Sequence, residues 1–178
     1  MKTGKPGPIA ATLRVGTLAG LAGGVAEIGW VSLYAAAAGT SAAPIARGVV
    51  EAVMPGWVTS SYAVALGLLI HLALAVALGN ALALAIRLLW RRARTALEEF
   101  LWVTGALVAV WAINFFVVLP QLSPGFVSLL PYGITLVSKM LFGVAAAAIL
   151  CGKRGYRTER AAGQRGSRPM RLAAQQAK

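Results

Sequence analysis

The chain has 178 residues, 58% of them hydrophobic and 12% charged, with a formal net charge of +12. Soluble domains carry about 25% charged residues, and disordered chains are poor in apolar ones, so the composition excludes both classes. It indicates a polytopic membrane protein. The chain has no Asp, one His and one Cys, too few ligands for the usual metal, haem or dithiol sites. We therefore predict no metal, no cofactor and no enzymatic activity. The exception would be a symmetric oligomer, in which His71 could pair with its own copy.

Four stretches are apolar and long enough for a membrane-spanning helix, which needs about 20 residues. They cover approximately residues 13–35, 62–86, 101–119 and 132–150, after an N-terminal segment of residues 1–12. The alternation typical of barrel strands is absent. We therefore predict an all-α fold, a bundle of four transmembrane helices within residues 13–151.

The first span carries a repeated G-x-x-x-G pattern at Gly16, Gly20 and Gly24. Such a pattern lets another helix approach closely. The approaching helix belongs either to the same chain or to a second copy. At 100° per residue, Glu27 lies near the middle of the same face. We expect its carboxylate to face protein, because an ionised side chain in lipid costs several kcal/mol.

The distribution of basic residues predicts the orientation. Of the 17 Lys and Arg residues, Arg47 alone lies on one side of the predicted bundle and Lys139 lies within a span. The remainder lie on the other side, so the positive-inside rule places both termini in the cytoplasm. We expect residues 152–178 to be a disordered basic tail that rests on anionic lipids. No nucleic-acid-binding module is visible.

The two loops on the outer side are also informative. In the first, Ala42–Met54 follows a capping Thr-Ser pair and precedes Pro55-Gly56, which predicts a short interfacial helix with Ile45, Val49, Ala52 and Val53 on one face. The second loop, Pro120–Pro131, has three prolines and no charge. It either dips into the membrane or packs against the bundle.

Each span contains one strongly polar residue in its outer half, namely Glu27, His71, Asn114 or Lys139. Counted from the outer helix ends at 1.5 Å per residue, all lie roughly 8 to 15 Å below the interface. We predict that they converge in one intramembrane polar layer. In it Glu27 pairs with Lys139, and His71 and Asn114 complete the group.

Three interpretations of this layer remain open. It locks the helices in register, since breaking a buried ion pair costs about 3–5 kcal/mol. It forms a proton or ion pathway, or a polar ligand pocket open to the outside, in which His71 confers pH sensitivity. It contacts a partner subunit.

The third and fourth spans carry Pro120-Gln121-Leu122-Ser123-Pro124, Leu130-Pro131, Val137-Ser138-Lys139 and Phe142-Gly143. This spacing, with a Gly-rich first helix that ends in a late Glu, resembles small bacterial inner-membrane proteins of the YagU type. The resemblance covers about half the chain and implies a multi-pass inner-membrane protein with a loose link to acid stress. Those proteins have an acidic residue at the position of Lys139, and no catalytic residues carry over.

The sequence thus predicts a small, non-enzymatic inner-membrane protein, an accessory or stress-related component of a membrane complex. The alternative is a small transporter or proton-linked channel that uses the polar layer. A homo-oligomer or a larger complex is compatible with either prediction.

Overall fold

The computed structural model describes residues 7–89 and 95–150, and within these ranges it contains helices and no strand. Four helical segments are long and apolar enough to cross a membrane. The all-α membrane fold is therefore confirmed. The helices are α1 (Pro8–Ala37), α2 (Ala43–Val53), α3 (Ala63–Leu89), α4 (Ala96–Ile113), α5 (Leu119–Leu122), α6 (Pro124–Val127) and α7 (Tyr132–Leu150). The predicted basic tail, residues 152–178, lies outside the described ranges.

The four long helices alternate in direction, which gives the bundle two distinct ends. At the terminal end, the Arg87 guanidinium at the close of α3 donates to the Thr12 hydroxyl near the start of α1, at 2.8 Å. At the loop end, the Trp30 indole of α1 donates to the carbonyl of Ile134 in α7, at 3.1 Å. The start of α1 and the end of α7 therefore lie at the terminal end, and α2 and α6 lie at the loop end.

The glycine face of α1 packs against α3. A Cβ atom at Gly16 or Gly20 would fall within 3.0 Å of the α3 backbone, and one at Gly24 would meet the side chain of Ala75. Of the two partners left open by the sequence, the structure shows the helix of the same chain. A homo-oligomer therefore has to use a different face.

Replacing Gly20 with Val is expected to destabilise the bundle by about 1–3 kcal/mol, because the added carbon atoms meet backbone that cannot give way. Gly29 provides the matched control, since a Cβ there has no atom within 4 Å. Unfolding in mixed detergent micelles measures both variants. Equal stability of Gly20→Val and Gly29→Val would contradict the α1–α3 packing.

The terminal half of the bundle has an apolar core. Phe142 of α7 is fully buried, and its ring fills the space that Gly23 of α1 leaves open. Around it pack Ala19, Ala75, Leu82, Ile86, Val103, Leu107, Ala146 and Ala147. This core joins all four long helices.

The third span begins and ends differently from the first two. Thr95 and Glu98 form a capping box, in which each side chain accepts a hydrogen bond from the backbone N–H of the other. We expected this span to end at Leu119, before Pro120, but it continues to Leu122. A proline in a helix cannot donate to the carbonyl four residues earlier and clashes with it. A π-helical turn at Asn114–Val118 widens the helix there and accommodates Pro120.

Helix α2 covers the loop end, and the second loop packs onto it. Val50 is fully buried, and the Ala46 carbonyl closes on Gly67 of α3. Gly48 leaves space for the Phe126 ring of α6. The predicted short helix is thus present, with part of its surface buried in the bundle. Of the two arrangements open for the Pro120–Pro131 loop, the structure shows packing.

Candidate functional site

Three of the four predicted polar residues meet inside the bundle. The Nζ atom of Lys139 lies 2.7 Å from Oε1 of Glu27, an ion pair in hydrogen-bond contact. Nε2 of His71 lies 3.6 Å from Oε2 of the same carboxylate. The Glu27 side chain is 6% exposed, against 18% for Lys139 and 28% for His71. We call Glu27, His71 and Lys139 the polar cluster.

Small residues on α1 bring the three side chains together. Gly23 admits the Phe142 ring, so α7 approaches α1 closely. Glu27 lies one turn beyond Gly23, and Lys139 lies one turn before Phe142. The two charged side chains therefore meet on the loop-end side of the contact between Gly23 and Phe142. The Lys139 ammonium also lies 5.2 Å from the centre of the Phe142 ring, within the range of a cation–π interaction.

Asn114 lies apart from the polar cluster. It is exposed, and its side chain makes no hydrogen bond within residues 7–89 and 95–150. The reason is the packing of α4 on α7, where the Trp111 indole donates to the Thr135 hydroxyl at 3.0 Å. About 60° around the helix from Trp111, Asn114 faces the cavity described next rather than Glu27.

A cavity of about 540 Å³ opens beside the polar cluster in the loop-end half of the bundle. This volume lies within the range of small-molecule sites, about 300–1,000 Å³. Its walls are mostly apolar. The apolar lining includes Ile45, Val49, Ala52 and Val53 of α2, the face predicted from the sequence. Glu27, His71, Lys139, Ser138 and Asn114 supply polar atoms.

The cavity is bounded by α3 on one side and by α4 with its π-helical turn on the other. Within the described parts of these two helices, they do not pack extensively against each other. The lining residues Leu68 and Leu74 of α3, and Val110 and Val118 across from them, are also exposed on the surface. These exposed lining residues place the opening of the cavity between α3 and α4, within the apolar lengths of the two helices.

The charges of the polar cluster balance within the protein. Glu27 and Lys139 neutralise each other at 2.7 Å. Nε2 of His71 lies 3.6 Å from the Glu27 carboxylate, which is longer than a hydrogen bond. Among the described residues, Nε2 of His71 is buried and has no hydrogen-bond partner. The cluster thus combines a satisfied ion pair with one unsatisfied nitrogen.

The sequence revealed neither the position of this cavity nor the π-helical turn that shapes one of its walls. Lining residues Val110, Asn114, Val118 and Leu122 recur at steps of four. In a regular α-helix each such step would drift by about 40° around the axis. The wider π-helical turn reduces this drift and keeps the four residues on one wall. Pro120 is the only sequence signal for that turn.

The fold and the site define a multi-pass helical membrane protein. Its cavity opens between α3 and α4, beside the ion pair of Glu27 and Lys139. No protein-family model, curated protein or solved structure matches the chain. Within residues 7–89 and 95–150, no three His, Cys, Asp or Glu side chains are placed to hold a metal ion.

Proposed function

We propose that this chain is a non-enzymatic membrane protein that binds an apolar or amphipathic small molecule from the surrounding bilayer. The lateral opening of the cavity between α3 and α4 carries the proposal. Apolar walls with a few polar groups at one place are typical of small-molecule sites. We expect bound molecules to arrive through the lipid, because the opening lies between side chains that face it.

The packing on the terminal side of the polar cluster favours binding of a molecule over its passage across the membrane. The core around Phe142 is apolar and joins all four long helices. A proton or ion pathway through the terminal half would need polar groups or water along this core. A proton-linked transporter or channel is therefore the second candidate. Its support is the buried, unpartnered nitrogen of His71 next to the cavity.

The biological setting is also a proposal. The excess of basic residues on the terminal side supports a bacterial inner membrane with both termini in the cytoplasm, and a basic tail bound to anionic lipids. The resemblance to YagU-type proteins remains a prediction. An accessory or stress-related role in a larger complex is consistent with a cavity that holds a ligand without converting it.

Photolabelling in phosphatidylcholine nanodiscs tests the proposed function. Three dodecyl probes that carry a diazirine on the chain would be used, ending in a hydroxyl, a carboxylate or an ammonium group. We expect at least one probe to label the cavity walls saturably, with peptides from α2 and α4 modified most strongly. Labelling that rises linearly for all three probes, and follows only exposure to lipid, would contradict ligand binding.

A pair of substitutions separates the cavity from the general lipid-facing surface. Val49 of α2 lines the cavity, whereas Val25 of α1 is 60% exposed on the outside of the bundle. Val49→Trp is expected to abolish most of the saturable labelling, because the indole occupies the site. Val25→Trp is expected to leave it unchanged.

A further inference from the structure

We propose that the cavity takes one hydrocarbon chain of a lipid, with the end of the chain beside the polar cluster and the headgroup left outside at the loop-side interface. This inference rests on the proposed function and names the chemistry and the orientation of the bound molecule. Its observations are the depth of the opening, the apolar cover of the cavity, and the pairing of the polar groups in its walls.

The opening lies at the depth of lipid chains. Tyr62, which is 75% exposed, directly precedes α3, and tyrosine is enriched where a membrane meets water. The rim residues Leu68 and Leu74 lie five and eleven residues beyond Ala63, the first residue of α3, which places them about 8 and 16 Å deeper. One leaflet of the hydrocarbon core is about 15 Å thick. The opening therefore faces the chains of the loop-side leaflet.

An apolar cover separates the cavity from the loop-side interface. Val49 of α2 and Phe126 of α6 line the cavity there, and the Phe126 ring occupies the space beside Gly48. A headgroup that entered would leave the hydrated interface and pass beneath these side chains. Removing a polar group from water is unfavourable unless new hydrogen bonds replace the lost ones. A hydrocarbon chain has no such bonds to lose, so the chain enters more readily.

The polar groups of the cavity walls do not form a common site for a headgroup. Glu27 and Lys139 neutralise each other at 2.7 Å. Nε2 of His71 is enclosed and lies 3.6 Å from the Glu27 carboxylate, so it is turned toward α1. Asn114 is exposed on the opposite wall. A headgroup that stays at the interface keeps its hydration and leaves this arrangement intact.

Apolar side chains receive the end of the chain. Ala75, Leu78 and Phe142 line the cavity and also belong to the apolar core of the terminal half or pack against it. Lipid tails are as apolar as these side chains, so the hydrophobic effect contributes little to binding within a membrane. A chain that fills the cavity adds van der Waals contacts to walls that otherwise lack them. We therefore expect packing of the chain, and not the headgroup, to determine binding.

Two dodecanol probes in phosphatidylcholine nanodiscs test the orientation in the intact protein. One carries the diazirine at the end of the chain, and the other carries it beside the hydroxyl. Ile28 and Ser138 line the cavity next to Glu27 and Lys139. We expect the terminal diazirine to label these two residues saturably, and at least about tenfold more than the diazirine beside the hydroxyl, because an enclosed headgroup would lose its hydration.

The headgroup comparison is an independent measurement. The hydroxyl, carboxylate and ammonium probes used to test the proposed function should half-saturate the cavity within about threefold of one another, because every headgroup stays at the interface. Half-saturation is expressed as the mole fraction of probe in the nanodisc lipid, which removes differences in partitioning. A tenfold preference for one headgroup would show that the headgroup contacts the walls, and would overturn the inference.

Two neighbouring leucines of α3 test the route of entry. Leu68 lines the cavity at its rim, whereas Leu69 is 65% exposed and is not a lining residue. Leu68→Trp is expected to lower the saturable labelling of Ser138 at least about threefold, because the larger side chain narrows the opening. Leu69→Trp, the matched control, should label like the wild type. Equal labelling of the two variants would contradict entry between α3 and α4.

A phosphatidylcholine with the diazirine at the end of one acyl chain distinguishes the two sources of such a chain. Labelling of Ser138 by this lipid that dodecanol displaces supports the inference for a single-chain lipid. Labelling that dodecanol leaves unchanged supports it for a chain of the phospholipid itself.

Failure of the inference differs from failure of the proposed function. Stronger saturable labelling of Ser138 from beside the hydroxyl would reverse the orientation and overturn the inference, while ligand binding would still stand. Labelling that saturates for none of the dodecyl probes, together with no labelling of Ser138 by the phospholipid probe, would overturn both.

Discussion

Glu27→Gln is expected to destabilise the bundle by about 3–5 kcal/mol, because it leaves the largely enclosed Lys139 ammonium without its counter-charge. Lys139→Met should cost a similar amount, since the Glu27 carboxylate then remains, and its side chain is 6% exposed. The double variant should recover much of the loss, because no unpaired charge is left in the protein interior. Unfolding in mixed detergent micelles gives the four free energies of the cycle.

Glu51→Gln is the matched control for this cycle. Glu51 is exposed on α2 and accepts a hydrogen bond from the Ser123 hydroxyl at 3.4 Å. A glutamine side chain keeps an acceptor there, so the change should stay within about 0.5 kcal/mol of the wild type. Strict additivity of the Glu27 and Lys139 losses would show that the two side chains do not interact, and would remove the basis for a charge-balanced cluster.

Phe142→Ala should lower the stability by about 2–3 kcal/mol. Truncating a buried Phe in a water-soluble core costs about 3–5 kcal/mol. The loss is smaller in a membrane, because lipid tails are as apolar as the core and only packing is forfeited. Phe142 is fully buried against Gly23, and its ring also lies next to the Lys139 ammonium. The same unfolding measurement applies.

Phe116→Ala provides the comparison, since Phe116 is 58% exposed on the π-helical turn. Its ring meets that of Trp111 edge-on and stacks on that of Tyr132. We therefore expect a loss of stability of up to about 1 kcal/mol. A Phe116→Ala variant less stable than Phe142→Ala would mean that the bundle is held together at the loop end rather than around Phe142.

The amino-acid sequence by itself determined the architecture. Hydrocarbon thickness fixes the length of a spanning helix, and unsatisfied backbone groups exclude other structures in lipid, so apolar runs are sufficient to predict four helices. The glycine face of α1, with Glu27 on it, followed from helical periodicity. We expected Glu27, His71 and Lys139 to lie close together because they lie at similar depth, and ionisable side chains within a membrane face the bundle interior and pair with one another.

Tertiary structure alone decided that Asn114 does not join these three residues. Depth along a helix can be counted in the sequence, whereas the rotation of α4 depends on its packing against α7. That packing, through Trp111 and Thr135, separates Asn114 from Glu27 and places it across the cavity. The cavity itself is space left between α3 and α4. Its position depends on how residues distant in the chain pack together, and local sequence patterns do not predict such packing.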